Sequence, residues 1–440
     1  MEDNIVNRDL DNAIGLALYV NHSFFITGKA GTGKSTFIKK IPNTILKNFV
    51  VVAPTGIAAI NAGGVTIHSF FKFPIRELLP NDRGIKVFGD DSEQKKIISA
   101  MDTLIIDEIS MVRADLIDAI DCSLRKNGNK PNLPFGGKQI IFVGDFFQLE
   151  PVMNKDSTVL KEIYKSLFFY NAKVFEKIKL YTVELKKVYR QLDPDFIRLL
   201  DKVRVNELTQ EDIDKLNTRV VDQAEIDKNE FAITLTTRNA MAANVNNLKL
   251  EKIKAKAFIY PAQISGLFEE NKYPTEPILK FKVGAQIIFI RNDPSKRWVN
   301  GTLGKIKKLY KTCIEVELNT GLVYIVDKVQ WENTAYQFSP RFNRIVRKVI
   351  GEFVQYPIKL AWAITIHKSQ GLTFDRVIID FGEGTFASGQ AYVALSRVKT
   401  FEGLYLKQKI KAEDIFLNDE IKQFALEFKN NDPFKKQNKQ

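Results

Sequence analysis

Short apolar runs recur along the chain, each ending at Gly, Pro or an acidic residue. SFFIT (Ser23–Thr27), FVVVAP (Phe49–Pro54), LIIDE (Leu104–Glu108) and KQIIFVGD (Lys138–Asp145) alternate with stretches of helical spacing. That alternation predicts a parallel sheet with crossover helices. A second set follows: FAITLTT (Phe231–Thr237), the helical NAMAANVNNLKLEKI, then RVIIDF and GLYLKQ. Between them, from about Val283 to Ile350, GAQIIFI, TLGKIKKLY, CIEVEL and LVYIVDKV are β-type runs joined by Asn-Gly and Thr-Gly turns. This predicts a small antiparallel barrel inserted into a second α/β lobe. The polar tail KNNDPFKKQNKQ is expected to be loose.

Composition narrows the class. At 440 residues, 45% hydrophobic and 27% charged, the chain has room for two or three packed domains. A net charge of +13 favours a polyanionic partner without naming it. The two cysteines, Cys122 and Cys313, have no CxxC or His-rich neighbours, so a disulfide framework or zinc site is not expected. Met1 to Asp11 lacks the apolar core of a signal peptide, and no apolar stretch reaches the roughly 18 residues of a membrane span. The expectation is a cytoplasmic protein.

GKAGTGKS (Gly28–Ser35) matches GxxxxGK[ST] and lies between a strand-like run and a helix-like one. Such a turn aims backbone N–H groups at a β-phosphate, where the helix dipole also favours anions. Gly28, Ala30, Gly31, Thr32, Gly33, Lys34, Ser35 and Thr36 are therefore expected to hold a nucleotide, ATP with Mg²⁺. Lys34 reaches the β and γ oxygens and the Ser35 hydroxyl ligates the metal. Asp107 and Glu108 end an apolar run, where Asp107 is assigned to Mg²⁺ and Glu108 to the attacking water. Asp145 and Gln148 follow another such run, and the Gln148 amide is placed at the γ-phosphate, although it could equally satisfy loop backbone.

The blocks APTGIAAINAGGVTIHSFF, MDTLIIDEISM, GGKQIIFVGDFFQLEPV, ELKKVYRQ, ITIHKSQGLTFDRVIID and AYVALSRVKTFEGLYL together resemble superfamily one helicases in content and order. DLIDAIDCSLRKNGNKPNLPFGGKQ (Asp115–Gln139) resembles the signature of the Petite Integration Frequency family, the RecD-related five-prime to three-prime DNA helicases of group B. The resemblance implies two RecA-like P-loop NTPase lobes, with a small wedge insertion in lobe one and an SH3-like β-barrel insertion in lobe two. The boundaries expected are 1–178 for lobe one with the wedge at about 66–98, 179–282 and 351–428 for lobe two, 283–350 for the barrel and 429–440 for the tail. One departure is the lack of a glutamine upstream of the P-loop, where only Asn7, Asp11 and Asn12 occur, so the reading of adenine is left open.

The resemblance also supplies Arg190 and Arg397 as the guanidinium groups that sense the γ-phosphate, with Gln370 and Gly371 beside them. For the DNA track it points to Pro54, Thr55, His68, Phe70, Thr365, His367 and Lys368. Arg291, Lys296, Arg297 and Trp298, in RNDPSKRWVNG, combine charge with a ring, although a plain exposed hairpin reads nearly as well. The wedge is expected in KFPIRELLPND (Lys72–Asp82). The function implied is ATP-driven five-prime to three-prime movement on single-stranded DNA, with unwinding of duplexes, forks, G-quadruplexes or RNA–DNA hybrids. The absence of targeting segments suggests a bacterial or phage cytoplasm with nucleoid association, although members of the family this chain resembles also work in nuclei and mitochondria; a monomer is expected, with dimerisation on DNA left open. A translocase that does not separate strands is the alternative. A small-molecule kinase would need an acceptor site and lid in place of the second lobe.

Overall fold

A computed structural model describes residues 7–41, 46–151, 158–191, 193–228 and 230–429; the tail expected from 429 lies almost wholly outside them. The chain divides into two compact units, one of residues 1–189, 334–349 and 418–440 and the other of 190–333 and 350–417.

The first unit is built on six parallel strands, β1 (Phe24–Gly28), β2 (Phe49–Ala53), β3 (Val65–Thr66), β4 (Thr103–Ile106), β5 (Gln139–Val143) and β6 (Tyr181–Leu185), in the order β3-β2-β4-β5-β1-β6. In β1, β2, β4 and β5 every residue is buried. That explains why these runs are continuous rather than alternating, since a parallel sheet is covered on both faces. The cover comes from α1 (Arg8–Tyr19), α2 (Lys34–Lys40), α3 (Gly56–Ala62), α4 (Ile67–Phe71), α5 (Glu93–Ala100), α6 (Ala114–Asn127) and α7 (Thr158–Ile163). Leu10, Ala13 and Ala17 of α1 and Phe37 and Ile38 of α2 close one core against Phe24, Ile26 and Val143.

Where the wedge insertion was expected, the chain forms a long loop between α4 and α5. Its fold is dictated by α6, the helix of the family-type signature. Asp115, 1% exposed, accepts from the Leu78 backbone N–H at 3.0 Å and from Arg113 at 2.8 and 2.7 Å. Asn127 accepts from the Phe88 N–H at 2.8 Å and donates to the Lys86 carbonyl at 2.9 Å. Within the loop, Arg76 and Asp82 form a two-point pair at 2.6 and 2.7 Å. Two buried side chains of one helix thus hold both ends of the loop, leaving Ile75 84% exposed.

The second unit contains α8 (Pro194–Val205), α9 (Gln210–Asn217), α10 (Gln223–Lys228), α11 (Asn239–Lys252) and α12 (Gln390–Leu395). Its parallel sheet joins β7 (Ile233–Thr236), β18 (Ala363–Thr365), β19 (Val377–Asp380) and β20 (Leu404–Leu406) in the order β18-β7-β19-β20. The antiparallel region begins at β8 (Ala257–Pro261), earlier than the expected residue 283, and includes β9 (Gln263–Gly266) and β10 (Ile278–Lys282). It continues through β11 (Gln286–Phe289), β12 (Leu303–Leu309), β13 (Ile314–Leu318), β14 (Val323–Val326), β15 (Val329–Ser339), β16 (Arg344–Gln355) and β17 (Ile358–Leu360). Tyr260, Leu279 and Phe281 share one core with Ile287, Phe289, Trp298 and Val316, so β8 and β10 belong with the barrel.

The units differ from the sequence boundaries in three places. The strand β6 pairs with β1 and stays in the first unit past residue 178. The outer half of the β15–β16 hairpin also belongs there. Its Tyr336 hydroxyl accepts from the Val51 N–H at 2.9 Å, and Arg347 donates to the Gly63 carbonyl at 2.7 Å. The helix α13 (Asp419–Lys429) stacks Phe424 on Tyr170 at 3.8 Å, which places it in the first unit too. Such contacts are distant in sequence and carry no local periodicity. Among the described residues no helix is long and apolar enough to cross a membrane.

Trp298 is 6% exposed and lies on Phe289 with ring centroids 4.3 Å apart. Replacing it by alanine is expected to cost about 3 to 5 kcal/mol of stability, read as a lower urea midpoint, because the cavity cannot be refilled by a barrel held in register.

Candidate nucleotide site and strand-facing loops

The register of the first sheet brings three strand ends together. Ile26 of β1 pairs with Val143 of β5, and Phe142 pairs with Ile106 of β4. The P-loop leaves β1, Asp107 and Glu108 leave β4, and Asp145 and Gln148 leave β5, all on the carboxyl edge of the sheet where α/β folds bind ligands.

The loop has the backbone that its glycines allow. Gly31 and Gly33 adopt φ of 79° and 99°, and a Cβ on Gly28 would lie 2.5 Å from Thr32 Oγ1 and 2.7 Å from the Leu185 carbonyl oxygen. Gly33 is the N-cap of α2, so the free N–H groups of that helix face the loop. Lys34 Nζ donates to the Gly28 and Lys29 carbonyls at 2.5 and 3.0 Å, folded across the cradle it is expected to serve. Ala30 and Thr32 are buried, whereas Ser35 and Thr36 are exposed at the helix start.

Asp107 is held above the usual carboxylate range, first by burial and then by Glu108, with its bond from the Glu108 N–H and the charge of Lys34 opposing. Glu108 takes φ 49°, left-handed backbone that a β-carbon disfavours, and caps the short turn Ile109–Met111. Such strain fits a position where the direction of the carboxylate matters. A Ser hydroxyl and a carboxylate are hard oxygen donors of the kind Mg²⁺ takes, and a dication would reverse the destabilised charge on Asp107. Gln148 is buried, with its amide 3.4 Å from Asp145 Oδ2 and its N–H bonded to the Asp145 carbonyl.

Asn7 and Tyr189 were not singled out by any motif as a pair. Asn7 caps α1 by accepting from the Leu10 N–H at 3.2 Å and donates to the Tyr189 hydroxyl at 3.1 Å, while the Tyr189 N–H donates to the Gly31 carbonyl at 3.0 Å. The Tyr189 ring is 48% exposed beside the loop. An aromatic four residues past a strand gives no sequence signal of this kind.

In the second unit, Arg190 donates to the Ser396 and Gly371 carbonyls, each at 3.3 Å. Partial burial pulls it down to about 10, with Tyr392 opposing, so it remains cationic at neutral pH. Arg397 is 1% exposed, and its guanidinium is committed within the unit. It donates to the Val393 carbonyl and the Ser396 hydroxyl at 2.8 Å, and to the Ser369 and Leu372 carbonyls at 3.4 Å. The segment holding Gln370 and Gly371 is therefore braced by both arginines. Arg397, expected as a γ-phosphate sensor, is thus buried and bonded within its own unit, whereas Arg190 is the less buried of the two.

The track residues divide in the same way. Pro54 is partly exposed, and exposed Thr55 caps α3 by accepting from the Ala58 N–H. Burial, aided by Arg113, holds His68 below the usual imidazole range. Lys368 is exposed and His367 partly so. Phe70 is 4% exposed and lies edge-on to Phe71 and Tyr336, and Thr365 is 4% exposed with its hydroxyl accepting from the Lys368 N–H. Neither presents a free face to a strand. Trp298 is likewise a core residue, and Arg297 is held by Asp293 at 2.7 and 3.0 Å over the Trp298 ring. Arg291 donates to the Gln330 carbonyl, leaving exposed Lys296 as the uncommitted cation of that hairpin.

Comparison with known proteins fits this arrangement. A family model described as PIF1-like helicase matches residues 9–213, and a second, described as helicase, matches residues 339–427. The chain is 33% identical to the ATP-dependent DNA helicase Pif1 of Bdellovibrio bacteriovorus over 87% of its own length and 83% of that protein. It belongs to the PIF1-like helicase family. It is also 32% identical to the human ATP-dependent DNA helicase PIF1, across 89% of this chain and 59% of the relative, so it spans little more than half of the human protein. A crystal structure of Bacteroides sp Pif1 with ADP-AlF4 superposes with a TM-score of 0.89 at 38% identity, covering 97% of this chain and 98% of that one. The same Bacteroides Pif1 bound to ssDNA gives 0.68 at 38% identity and the same coverage. RecA-like lobes and the parallel sheets described above are thus shared with this helicase family.

The field on Asp107 has a sign that can be checked. Its folded-state pKa is raised, so the ionised group destabilises the nucleotide-free fold above the unfolded value of about 3.9, and the penalty vanishes once both states are protonated. Asp107→Asn is expected to melt higher than the parent at pH 8 without nucleotide or Mg²⁺, with the gain shrinking toward pH 4 in thermal denaturation.

Proposed function

We propose that this chain is an ATP-dependent DNA helicase that moves five-prime to three-prime on single-stranded DNA. The observation that carries it is the meeting of the P-loop, Asp107 with Glu108, and Asp145 with Gln148 at adjacent parallel strand ends, in a member of the PIF1-like family. The Bacteroides relative solved with ADP-AlF4 supports a nucleoside triphosphate as fuel, and its ssDNA complex supports the strand as track.

In this reading the loop N–H groups and Lys34 hold the phosphates, and Ser35 and Asp107 hold Mg²⁺, which neutralises charge on the transferring phosphoryl group. Glu108 orients the attacking water, and Gln148 contacts the γ-phosphate. Arg190 adds positive charge to the developing transition state, and Arg397 keeps the Gln370–Gly371 segment in place for it. The exposed Tyr189 ring offers a stacking face for the base, anchored by Asn7 in place of the absent glutamine. Thr55, His68, His367, Lys368 and Lys296 contact the strand without reading its sequence. The insertion clamped by Asp115 and Asn127 stands as the obstacle at the fork. G-quadruplexes and RNA–DNA hybrids are further substrates of the same cycle.

Strand displacement on matched partial duplexes with a five-prime or a three-prime overhang tests activity and polarity together, with Lys34→Ala as the blank. Product is expected from the five-prime overhang alone. Strand-stimulated phosphate release with no displaced strand would instead identify a translocase. Glu108→Gln is expected to bind nucleotide and strand while losing turnover by 10²-fold or more, roughly what loss of a general base costs. Arg190→Ala is expected to lower kcat more than nucleotide affinity. Normal turnover in either variant would remove that residue from the mechanism.

A further inference from the structure

The loop Phe381–Ser388, between β19 and α12, is fastened on both sides of one aromatic residue. The Gly382 N–H donates to Asp380 at 3.0 Å, and Gly384 takes φ 121° beside Asp414. The Thr385 hydroxyl donates to the Asp414 carbonyl at 2.7 Å, and the Phe386 N–H donates to Gln390 Oε1 at 3.0 Å. A loop so pinned has no need of an apolar side chain in water, yet Phe386 is 56% exposed while nearby Phe374 and Phe381 are 3% and 2% exposed. One face of its ring lies near-parallel to His367, with centroids 6.3 Å apart and planes at 16°.

Two lysines of the same unit lie within electrostatic reach of each other. Lys368 follows His367 directly and is exposed, while Lys359 lies on β17 and is partly buried. Burial first, and then the charge of Lys368, push Lys359 down to about 8, with Glu276 opposing. Neither ammonium is bonded to a carboxylate or carbonyl among the described residues. Burial also keeps His367 below the usual imidazole range, so the ring behind Phe386 is neutral at neutral pH.

We propose that Phe386, backed by His367, is a stacking platform for a base of the single strand, and that Lys359 joins Lys368 in holding the neighbouring phosphates. This rests on the single-strand reading given above. Neighbouring like charges that no carboxylate bonds suit a bridging anion, and an exposed ring on a pinned loop suits a flat, apolar base face. A nucleotide strand offers both at once. The platform is indifferent to sequence because every base has such a face. Neither Phe386 nor Lys359 falls among the residues expected from the family-type motifs, since one lies in a glycine-rich loop and the other on a short barrel strand.

The test is fluorescence anisotropy with labelled oligo-dT and an abasic strand of equal length, across a salt series, on the full chain. Phe386→Ala is expected to weaken oligo-dT binding by about 5- to 150-fold, the range for one lost base stack, with an unchanged salt slope and no loss on the abasic strand. Phe386→Trp is expected to keep the affinity and to lose indole emission when oligo-dT is added. Lys359→Gln is expected to flatten the slope of log K against log salt by about 0.7, the share of one phosphate on a single strand. Equal binding of Phe386→Ala and parent to oligo-dT, an equal loss on both strands, or unquenched emission from Phe386→Trp would overturn the platform. An unchanged slope for Lys359→Gln would remove Lys359 from the grip. Failure of the parent to bind any strand would instead overturn the helicase reading, and the platform with it.

Discussion

Everything in the first unit follows from burying a parallel sheet on both faces. The strand ends are then the one place where backbone polarity and side-chain charge meet solvent, and the register of β1, β4 and β5 decides what meets there. The helix-start N–H groups of the P-loop supply positive potential, while Asp107 supplies a carboxylate whose charge the surroundings resist. An unfavourable buried charge beside a cationic loop is what the proposed metal and polyphosphate would relieve. The strained backbone of Glu108 belongs to the same economy, stability given up where direction matters.

The second unit answers with bracing instead of charge. Arg190 and Arg397 converge on the carbonyls of the segment from Ser369 to Leu372 and on Ser396. That segment follows His367 and Lys368, so one small network ties the candidate phosphate-sensing residues to the candidate strand-facing ones. A guanidinium suits this role because its planar donors reach several carbonyls at once. In the first unit, α6 plays a comparable part: Asp115 and Asn127 bond the backbone of a long loop whose Phe73, Leu78 and Ile85 are also buried.

Much of this was legible in the sequence. The buried strands announced themselves as continuous apolar runs, and the P-loop was recognisable because its glycines have a mechanical purpose at Gly28, Gly31 and Gly33. Residue exposure was not legible. Trp298 read as a stacking ring and Phe70 as a track residue, yet both fill cores, since an aromatic side chain looks the same in sequence whether it faces in or out. The reverse error hid Tyr189 and Phe386, exposed rings without a motif. Units assembled from distant segments, such as the first unit with residues 334–349 and α13, leave no periodic trace.

The central claim is that the cradle of β1 and the strand-facing loops act on one cycle. Steady-state phosphate release by the full chain, with ATP and Mg²⁺ and increasing single-stranded oligonucleotide, measures it directly. The account predicts a low basal rate that rises to saturation with added strand. A rate indifferent to the strand, at concentrations where the strand is bound, would contradict it.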